Sequence, residues 1–219
     1  MSGKRLLVLI VTIAVLGAWL SSRTPSAPAL ASASSLANTD TSIPACPLPP
    51  RVARGASPLQ GEVPAGMQPF ALDGATVQPL ASFSVDARVL GRADYRMGRE
   101  ADFTPVDLAL GWARMRDDAV LASLDISQSA RWYRYRWQGA PPIAPDEIAR
   151  SSANMHMIPA DDDVAAALDR IRRDDRVRID GWLVQVDAED GWRWRSSLTR
   201  DDRGGGACEL VYVCAVTRE

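Results

Sequence analysis

The sequence predicts an α+β domain: an antiparallel, strongly curved sheet or small barrel with two or three short helices. The first observation is the order of elements, in which strands come before and after helical stretches without the strand–helix alternation of parallel sheets. The second is a set of Trp-rich C-terminal strands whose alternation changes phase, which favours a bulge and strong curvature. The third is composition, because 47% apolar and 24% charged residues are globular proportions. An OB-like barrel is one form that such a sheet takes.

The N-terminal segment predicts a place beyond a membrane. Lys4 and Arg5 precede Leu6 to Leu20, fifteen residues without charge, and this order marks an export signal or a signal anchor. The length fits both, since about 20 residues span a bilayer and about 7–15 form a signal-peptide core. We predict residues 1–22 as signal anchor or signal peptide, preceding the globule as an apolar helix. Residues 6–20 would make a single pass of the inner membrane, with the C-terminal domain in the periplasm; cleavage would instead give a secreted periplasmic protein.

Residues 23–68 are rich in Pro, Ser, Ala and Gly and have few large apolar side chains. Such a segment buries too little surface to offset its chain entropy. We therefore predict a disordered, flexible spacer over 23–68 and a globular α+β domain over 69–219.

The first elements of the predicted domain are a strand and a helix. Thr76 to Leu90 has an extended pattern. Thr104-Pro105-Val106-Asp107 has the composition of a helix start, with a capping Thr, Pro at the first helical position and an acid after it. Leu108, Trp112 and Met115 then share one helical face. Asp117 is predicted to cap a second short turn to Leu124.

The middle of the chain combines an aromatic strand with two helical stretches. Ala130 to Trp137 predicts a strand with Arg131, Tyr133, Tyr135 and Trp137 on one face and Trp132, Arg134 and Arg136 on the other. A helical turn near Asp146 to Arg150 precedes an extended segment at 151–157. Asp161 to Arg173 predicts a helix with acids at its start and bases at its end.

Three C-terminal strands predict an antiparallel meander. In Arg176 to Asp187 the apolar parity changes at Asp180-Gly181, which predicts a β-bulge at Gly181. Asp190-Gly191 marks a turn into the returning strand with Trp192 and Trp194. A mobile polar loop at 200–206 precedes the last strand, Cys208 to Val216.

The three cysteines allow at most one internal disulfide. Cys208 and Cys214 share the predicted last strand, where six residues span about 20 Å, while a bridge requires Cα atoms within about 7 Å. A bridge would therefore include Cys46; the alternative is three free thiols.

Charge disfavours nucleic acid as a ligand, because the net charge is −2. All basic residues except Lys4 are arginines. Arginine recognises carboxylates and phosphates bidentately, although codon bias in a GC-rich genome explains the same composition.

His156, the single histidine, limits any chemistry that needs an imidazole base. With Ser152 or Cys208 it would form the core of an envelope hydrolase; the alternative is a structural histidine bonded to a backbone carbonyl. One histidine and three scattered cysteines do not match a zinc site. The sequence predicts no metal and no cofactor.

The aromatic strand is the best candidate for ligand binding. Arg134, Arg136, Tyr133 and Tyr135 interleave cations with rings that stack on sugars or planar groups, unless the rings form core and the arginines are solvated. Arg200, in a loop with hydroxyls and acids, is a further candidate; such residues are also ordinary turn formers. An anionic glycan or an envelope protein partner fits the predicted location.

Several strings in 88–213 resemble an uncharacterised family of membrane-anchored proteobacterial proteins that has no established activity. The strings are Gly98-Arg99-Glu100-Ala101-Asp102, Pro105-Val106-Asp107-Leu108-Ala109-Leu110-Gly111-Trp112, Ile126-Ser127-Gln128-Ser129, Arg131-Trp132-Tyr133, Ser152-Ala153-Asn154-Met155-His156, Ile158-Pro159-Ala160-Asp161, Ser196-Ser197-Leu198-Thr199-Arg200 and Gly206-Ala207-Cys208-Glu209. The resemblance implies the membrane tether and the domain limits, and it supplies no catalytic residue. The expected function is a membrane-tethered extracytoplasmic binding or accessory module without catalysis; the alternatives are the hydrolase and the polyanion binder.

Overall fold

A curved sheet with few short helices forms most of the computed structural model, which describes residues 46–199 and 207–219. This confirms the α+β prediction. Within these residues the strands are β1 (Leu59–Gly61), β2 (Phe70–Leu72), β3 (Ala75–Asp94), β4 (Val106–Gly111), β5 (Asp125–Ser129), β6 (Trp132–Arg136), β7 (Ser152–Pro159), β8 (Arg176–Ala188), β9 (Arg193–Arg195) and β10 (Glu209–Arg218). The α-helices are α1 (Arg99–Phe103), α2 (Asp118–Leu121), α3 (Pro145–Arg150) and α4 (Asp162–Asp169), and a 3-10 helix covers Ala113–Arg116. The predicted apolar segment and the loop at 200–206, including Arg200, lie outside the described residues.

The pairings of five strands form a closed circuit: β3, β4, β7, β10, β8 and back to β3. The 20-residue β3 makes closure possible, because it pairs with β8 from Ala75 to Arg88 and with β4 from Arg88 to Asp94. All these pairs are antiparallel except β7 with β10, which run parallel. The prediction of an antiparallel sheet is wrong for that pair. The chain leaves β7 through α4, and β8 joins β3, so that β10 enters between β7 and β8.

Side chains on both faces of β8 are buried, which corrects the predicted change of phase. Val177, Ile179 and Leu183 face the interior of the circuit, whereas Trp182 and Val184 face a second apolar cluster outside it. The parity of β8 therefore does not change, and Gly181 carries no bulge. The extra residue stands on the partner strand at Cys214, between Val213 and Ala215.

Gly181 has a different role, since its backbone lies against the neighbouring strand. A Cβ added there would be 2.1 Å from the carbonyl oxygen of Tyr212. This close approach requires glycine. The signal at Asp180-Gly181 thus marks strand contact rather than an inserted residue.

The helix predicted from Thr104 is wrong, because Val106–Gly111 is the fully buried strand β4. The Thr104 hydroxyl donates to the carbonyl oxygen of Glu100 and so closes the end of α1. Val106, Leu108 and Leu110 face the interior, a spacing of two that pairing with β3 and β7 selects over the helical spacing.

Two other C-terminal predictions need adjustment. The Asp161 side chain accepts from the Val164 amide at 2.8 Å, as predicted for a helix start. However, α4 ends at Asp169, where Arg92 donates to the carbonyls of Leu168 and Ile171. The predicted meander is wrong, because β9 is only three residues long and leaves most of the β8 edge to β10.

The segment from Cys46 to Gly61 lies on the folded domain, so the predicted spacer, 23–68, overlaps it. Cys46 forms a disulfide with Cys214, which confirms that a bridge includes Cys46. Val52 is buried, and its amide donates to Ser84 Oγ at 2.9 Å. We call residues 46–61 the N-terminal strap. Among residues 46–199 and 207–219, no helix combines the length and the apolar character needed to cross a membrane.

Candidate functional site

The candidate site is built around a two-stranded hairpin, β5–β6, that forms a sheet of its own. Tyr133 and Tyr135 face inward and pack on a cluster that includes Met115 and Ile148. Trp132, Arg134 and Arg136 face outward. The predicted alternation is therefore confirmed from Trp132 to Arg136, whereas Ala130 and Arg131, predicted to belong to the strand, form the turn before it. The exposed side of the strand carries one tryptophan and two arginines.

Arg134 and Arg136 remain available on that exposed side. Arg134 Nη1 donates to Ser129 Oγ at 3.1 Å. Asp125 stands opposite Arg136 in the hairpin register, but neither arginine forms an ion pair with any residue in 46–199 or 207–219. The guanidinium groups thus face solvent rather than the core.

A cleft of about 170 Å³ opens beside the hairpin. Aromatic rings form one wall. The other walls come from β7, from the end of α3 and from Thr199, Ala207 and Cys208. The cleft residues are Trp132, Tyr133, Tyr135, Ala149, Ser152, Ala153, Asn154, Thr199, Ala207 and Cys208. Trp132 is 39% exposed, so it bridges the cleft and the outer face of the hairpin.

Tyr133 is a partly buried ring of the aromatic wall and carries a titratable hydroxyl. Burial raises its pKa to about 12, and its hydroxyl lies 3.4 Å from Ser152 Oγ. The phenol is therefore neutral and able to donate a hydrogen bond at any physiological pH.

Alkaline pH should destabilise the fold through this group. The native state keeps the Tyr133 proton up to about pH 12, whereas the unfolded chain loses it near pH 10. The contribution of Tyr133 to the free energy of unfolding is therefore fully present below pH 10 and is lost as pH rises towards 12. Two pKa units correspond to about 2–3 kcal/mol. Urea unfolding of wild type and Tyr133→Phe at several pH values above 9 measures the effect. The same decline in both proteins would contradict it.

Two of the predicted hydrolase residues, Ser152 and Cys208, line the cleft, but His156 does not. Ser152 Oγ donates to the carbonyl oxygen of Ile148 at 2.7 Å. His156 is 4% exposed and packs on the Trp194 ring at 4.8 Å. The imidazole contacts Asp107 and Trp194 and does not line the cleft that Ser152 and Cys208 share.

His156 instead contacts a carboxylate. Its Nδ1 lies 2.9 Å from Asp107 Oδ1, but the ring N–H is not aligned with that oxygen. The contact is therefore an ion pair when the imidazole is protonated rather than an aligned hydrogen bond. The predicted partner of a structural histidine is a backbone carbonyl. In the structure the contact of Nδ1 is with the Asp107 carboxylate instead.

Asp107 joins the hairpin to the outer face of β4 and β7. Its Oδ1 accepts from Arg131 Nη1 at 2.7 Å, and its Oδ2 accepts from Asn154 Nδ2 at 3.2 Å. Asn154 also donates to the Arg131 carbonyl at 3.1 Å and accepts from Gln128 Nε2 at 2.7 Å. The cleft wall is therefore held by a buried polar network centred on Asp107, in which Gln128 Oε1 and His156 Nδ1 lack a hydrogen bond within the described residues.

Sequence reasoning missed Asp107, Asn154, Tyr95 and Trp194 as partners of Arg131. A usable signal was present at Asp107, a single acid between Val106 and Leu108-Ala109-Leu110. An acid within such an apolar run predicts a buried carboxylate that needs a cationic partner. Its assignment to a helix start hid this signal.

Comparisons of the chain with family models, with curated proteins and with solved structures find no match.

Proposed function

We propose that this protein is a membrane-tethered, extracytoplasmic binding module without catalysis, and that it binds an anionic glycan at the hairpin and the cleft. The observation that carries the proposal is the outer face of β6. There Trp132, Arg134 and Arg136 stand in a row beside the aromatic cleft, with both guanidinium groups free of ion pairs in the described structure.

The chemistry of this surface suits an acidic sugar. Tryptophan and tyrosine rings cover the apolar faces of sugar rings, while arginines form charge-assisted hydrogen bonds with carboxylate or sulfate groups. Arg134 and Arg136 are two residues apart on one strand face, a separation of about 7 Å. Two neighbouring acidic substituents on one polysaccharide could therefore be bound together.

The closed circuit supports the same ligand class. We propose that β3, β4, β7, β10 and β8 form an OB-like barrel. In OB-folds the outer face of the second and third strands binds oligosaccharides and oligonucleotides, and here those positions belong to β4 and β7. Ser152 and Asn154 of β7 line the cleft. The net charge of −2 disfavours the oligonucleotide.

The disulfide supports the proposed address. Bridges such as Cys46–Cys214 form and persist in oxidising compartments, including the bacterial periplasm. The bridge joins the N-terminal strap to β10. In an inner-membrane protein anchored through residues 6–20, it would fix the domain to the chain that leads to the membrane.

Binding of dextran sulfate tests the proposal, with uncharged dextran as the neutral probe. We expect the wild-type protein to bind dextran sulfate but not uncharged dextran, and its affinity for dextran sulfate to fall as the salt concentration rises. The double variant Arg134→Ala/Arg136→Ala should bind dextran sulfate about tenfold more weakly or worse, because each charge-assisted hydrogen bond contributes about 1.5–3 kcal/mol. Hyaluronan, which carries carboxylates only, distinguishes carboxylate from sulfate recognition.

Arg173→Ala is the matched control, since Arg173 is also exposed but follows α4 in the chain and is not part of the hairpin. An equal loss in Arg173→Ala would mean that the polyanion senses overall charge rather than this surface. Absence of dextran sulfate and hyaluronan binding by wild type would refute the anionic-glycan proposal.

A further inference from the structure

The turn between β5 and β6 is held in an unusual conformation. Its two residues, Ala130 and Arg131, have φ of 49° and 66°. Two-residue turns of this kind normally contain Asn and Gly, because side chains with a Cβ are disfavoured at positive φ. Something must therefore hold this turn in place.

Arg131 is held through its backbone amide, its backbone carbonyl and its guanidinium Nη1. Its backbone amide donates to Tyr95 Oη at 2.8 Å, and its carbonyl accepts from Asn154. Its Nη1 contacts Asp107 Oδ1 at 2.7 Å, Thr104 Oγ1 at 2.6 Å and the Thr104 carbonyl at 3.0 Å. The guanidinium carbon lies 3.9 Å from the centre of the Tyr95 ring and 5.6 Å from that of Trp194.

The groups around the guanidinium are fixed by other contacts. The Thr104 hydroxyl donates to Glu100, which leaves its oxygen free to accept from Arg131. The Asp107 carboxylate accepts a hydrogen bond from Asn154, and the Trp194 ring packs on His156. A carboxylate, a hydroxyl, a carbonyl and two aromatic faces thus converge on one planar cation. We call this set (Thr104, Asp107, Tyr95 and Trp194) the guanidinium socket.

We propose that the socket is a binding site for the guanidinium group, which the chain fills with its own Arg131, and that this occupancy fixes the aromatic wall of the cleft. The socket elements come from β4, β9 and the connections that flank α1, none of which belongs to the hairpin. Arg131 is followed directly by Trp132 and Tyr133 of the cleft. Only the link to the cleft rests on the proposed function; guanidinium binding by the socket does not.

Arg131→Gly is the first test variant, because glycine accepts the positive φ and empties the socket. In the full-length chain we expect the hairpin amides to exchange hydrogen about tenfold faster or more than in wild type. Methylguanidinium at about 20 mM should bind the empty socket and slow this exchange again, as should be possible for a ligand with millimolar affinity. Ethylammonium at equal ionic strength should not, because it lacks the planar donors.

Arg131→Lys keeps the charge and tests the inference even if the glycine variant does not fold. We expect it to have faster hairpin exchange and a lower melting temperature than the matched Arg134→Lys. Equal behaviour of these two variants would overturn the proposal. So would a folded Arg131→Gly protein on which methylguanidinium and ethylammonium act alike.

The two proposals fail separately. Rescue is measured by hydrogen exchange and melting temperature without any glycan, so a protein that binds no polysaccharide still tests the socket. Loss of dextran sulfate binding in Arg131→Gly, with recovery in methylguanidinium, would support the link to the cleft. Unchanged dextran sulfate binding in that variant would overturn the link.

Discussion

Removing the Cys46–Cys214 disulfide is expected to lower the free energy of unfolding by about 3–5 kcal/mol, one of the two largest effects predicted for a single contact. The two cysteines are 168 residues apart in sequence. A loop of this length gives a chain-entropy contribution of about 5 kcal/mol, and native disulfides contribute about 2–5 kcal/mol in practice.

The bridge also holds the N-terminal strap in place. The carbonyl of Pro47, next to Cys46, accepts from Trp182 Nε1 at 3.0 Å. Further along, Asp86 Oδ1 accepts from the Gly55 amide at 2.9 Å, and Asp86 pairs with Arg116. Without the bridge, we expect the strap to open from its Cys46 end, while the contacts around Asp86 persist.

Urea unfolding of Cys46→Ala/Cys214→Ala, compared with wild type, measures this effect. Replacing both cysteines avoids a new free thiol. Cys208→Ala is the matched control, because Cys208 is not in the disulfide. A loss below about 1 kcal/mol in the double variant would mean that the strap contacts alone fix this part of the fold.

Sequence periodicity predicted the strands and helices that have one buried face. The start of α4 at Asp161 and the alternation of β6 are of this kind, whereas the strand at 76–90 was predicted although residues 81–87 are buried on both faces. Periodicity failed at β4, which was predicted as a helix, and it gave a wrong change of phase in β8, which was correctly predicted as a strand; both faces of these two strands are buried. There the apolar residues fit more than one period, and only the pairing partners decide between them.

The candidate site was predictable in part for the same reason. Arg134, Arg136 and the tyrosines could be assigned to faces because an exposed strand alternates strictly. The partners of Arg131 could not, since Tyr95, Asp107, Asn154 and Trp194 come from four separate stretches of the chain. Only the closure of the circuit and the folding of the hairpin onto β4 and β7 bring them together.

The second large effect is expected for Asp107→Asn, which should lower the free energy of unfolding by about 3–5 kcal/mol. Asp107 is fully buried, and Arg131, Asn154 and His156 all contact its carboxylate. The amide has nearly the same volume but no charge, so the Arg131 guanidinium, 18% exposed, loses its counterion in a poorly hydrated site. The hairpin should therefore detach from the outer face of β4 and β7 before the rest of the domain unfolds.

A double-mutant cycle with Arg131→Met separates this pairing from the other contacts of Asp107. Methionine retains an apolar stem against Tyr95 but removes the charge, so the double variant leaves neither partner uncompensated. We expect it to be more stable than the sum of the single losses predicts, by about 1–3 kcal/mol. Additive losses would show that Asp107 stabilises the fold through Asn154 and His156 instead. In that case the Arg131–Asp107 contact would contribute little to stability, and the Asp107 carboxylate would act through its contacts within β4 and β7. The packing of Tyr133 and Tyr135 would then hold the hairpin in position.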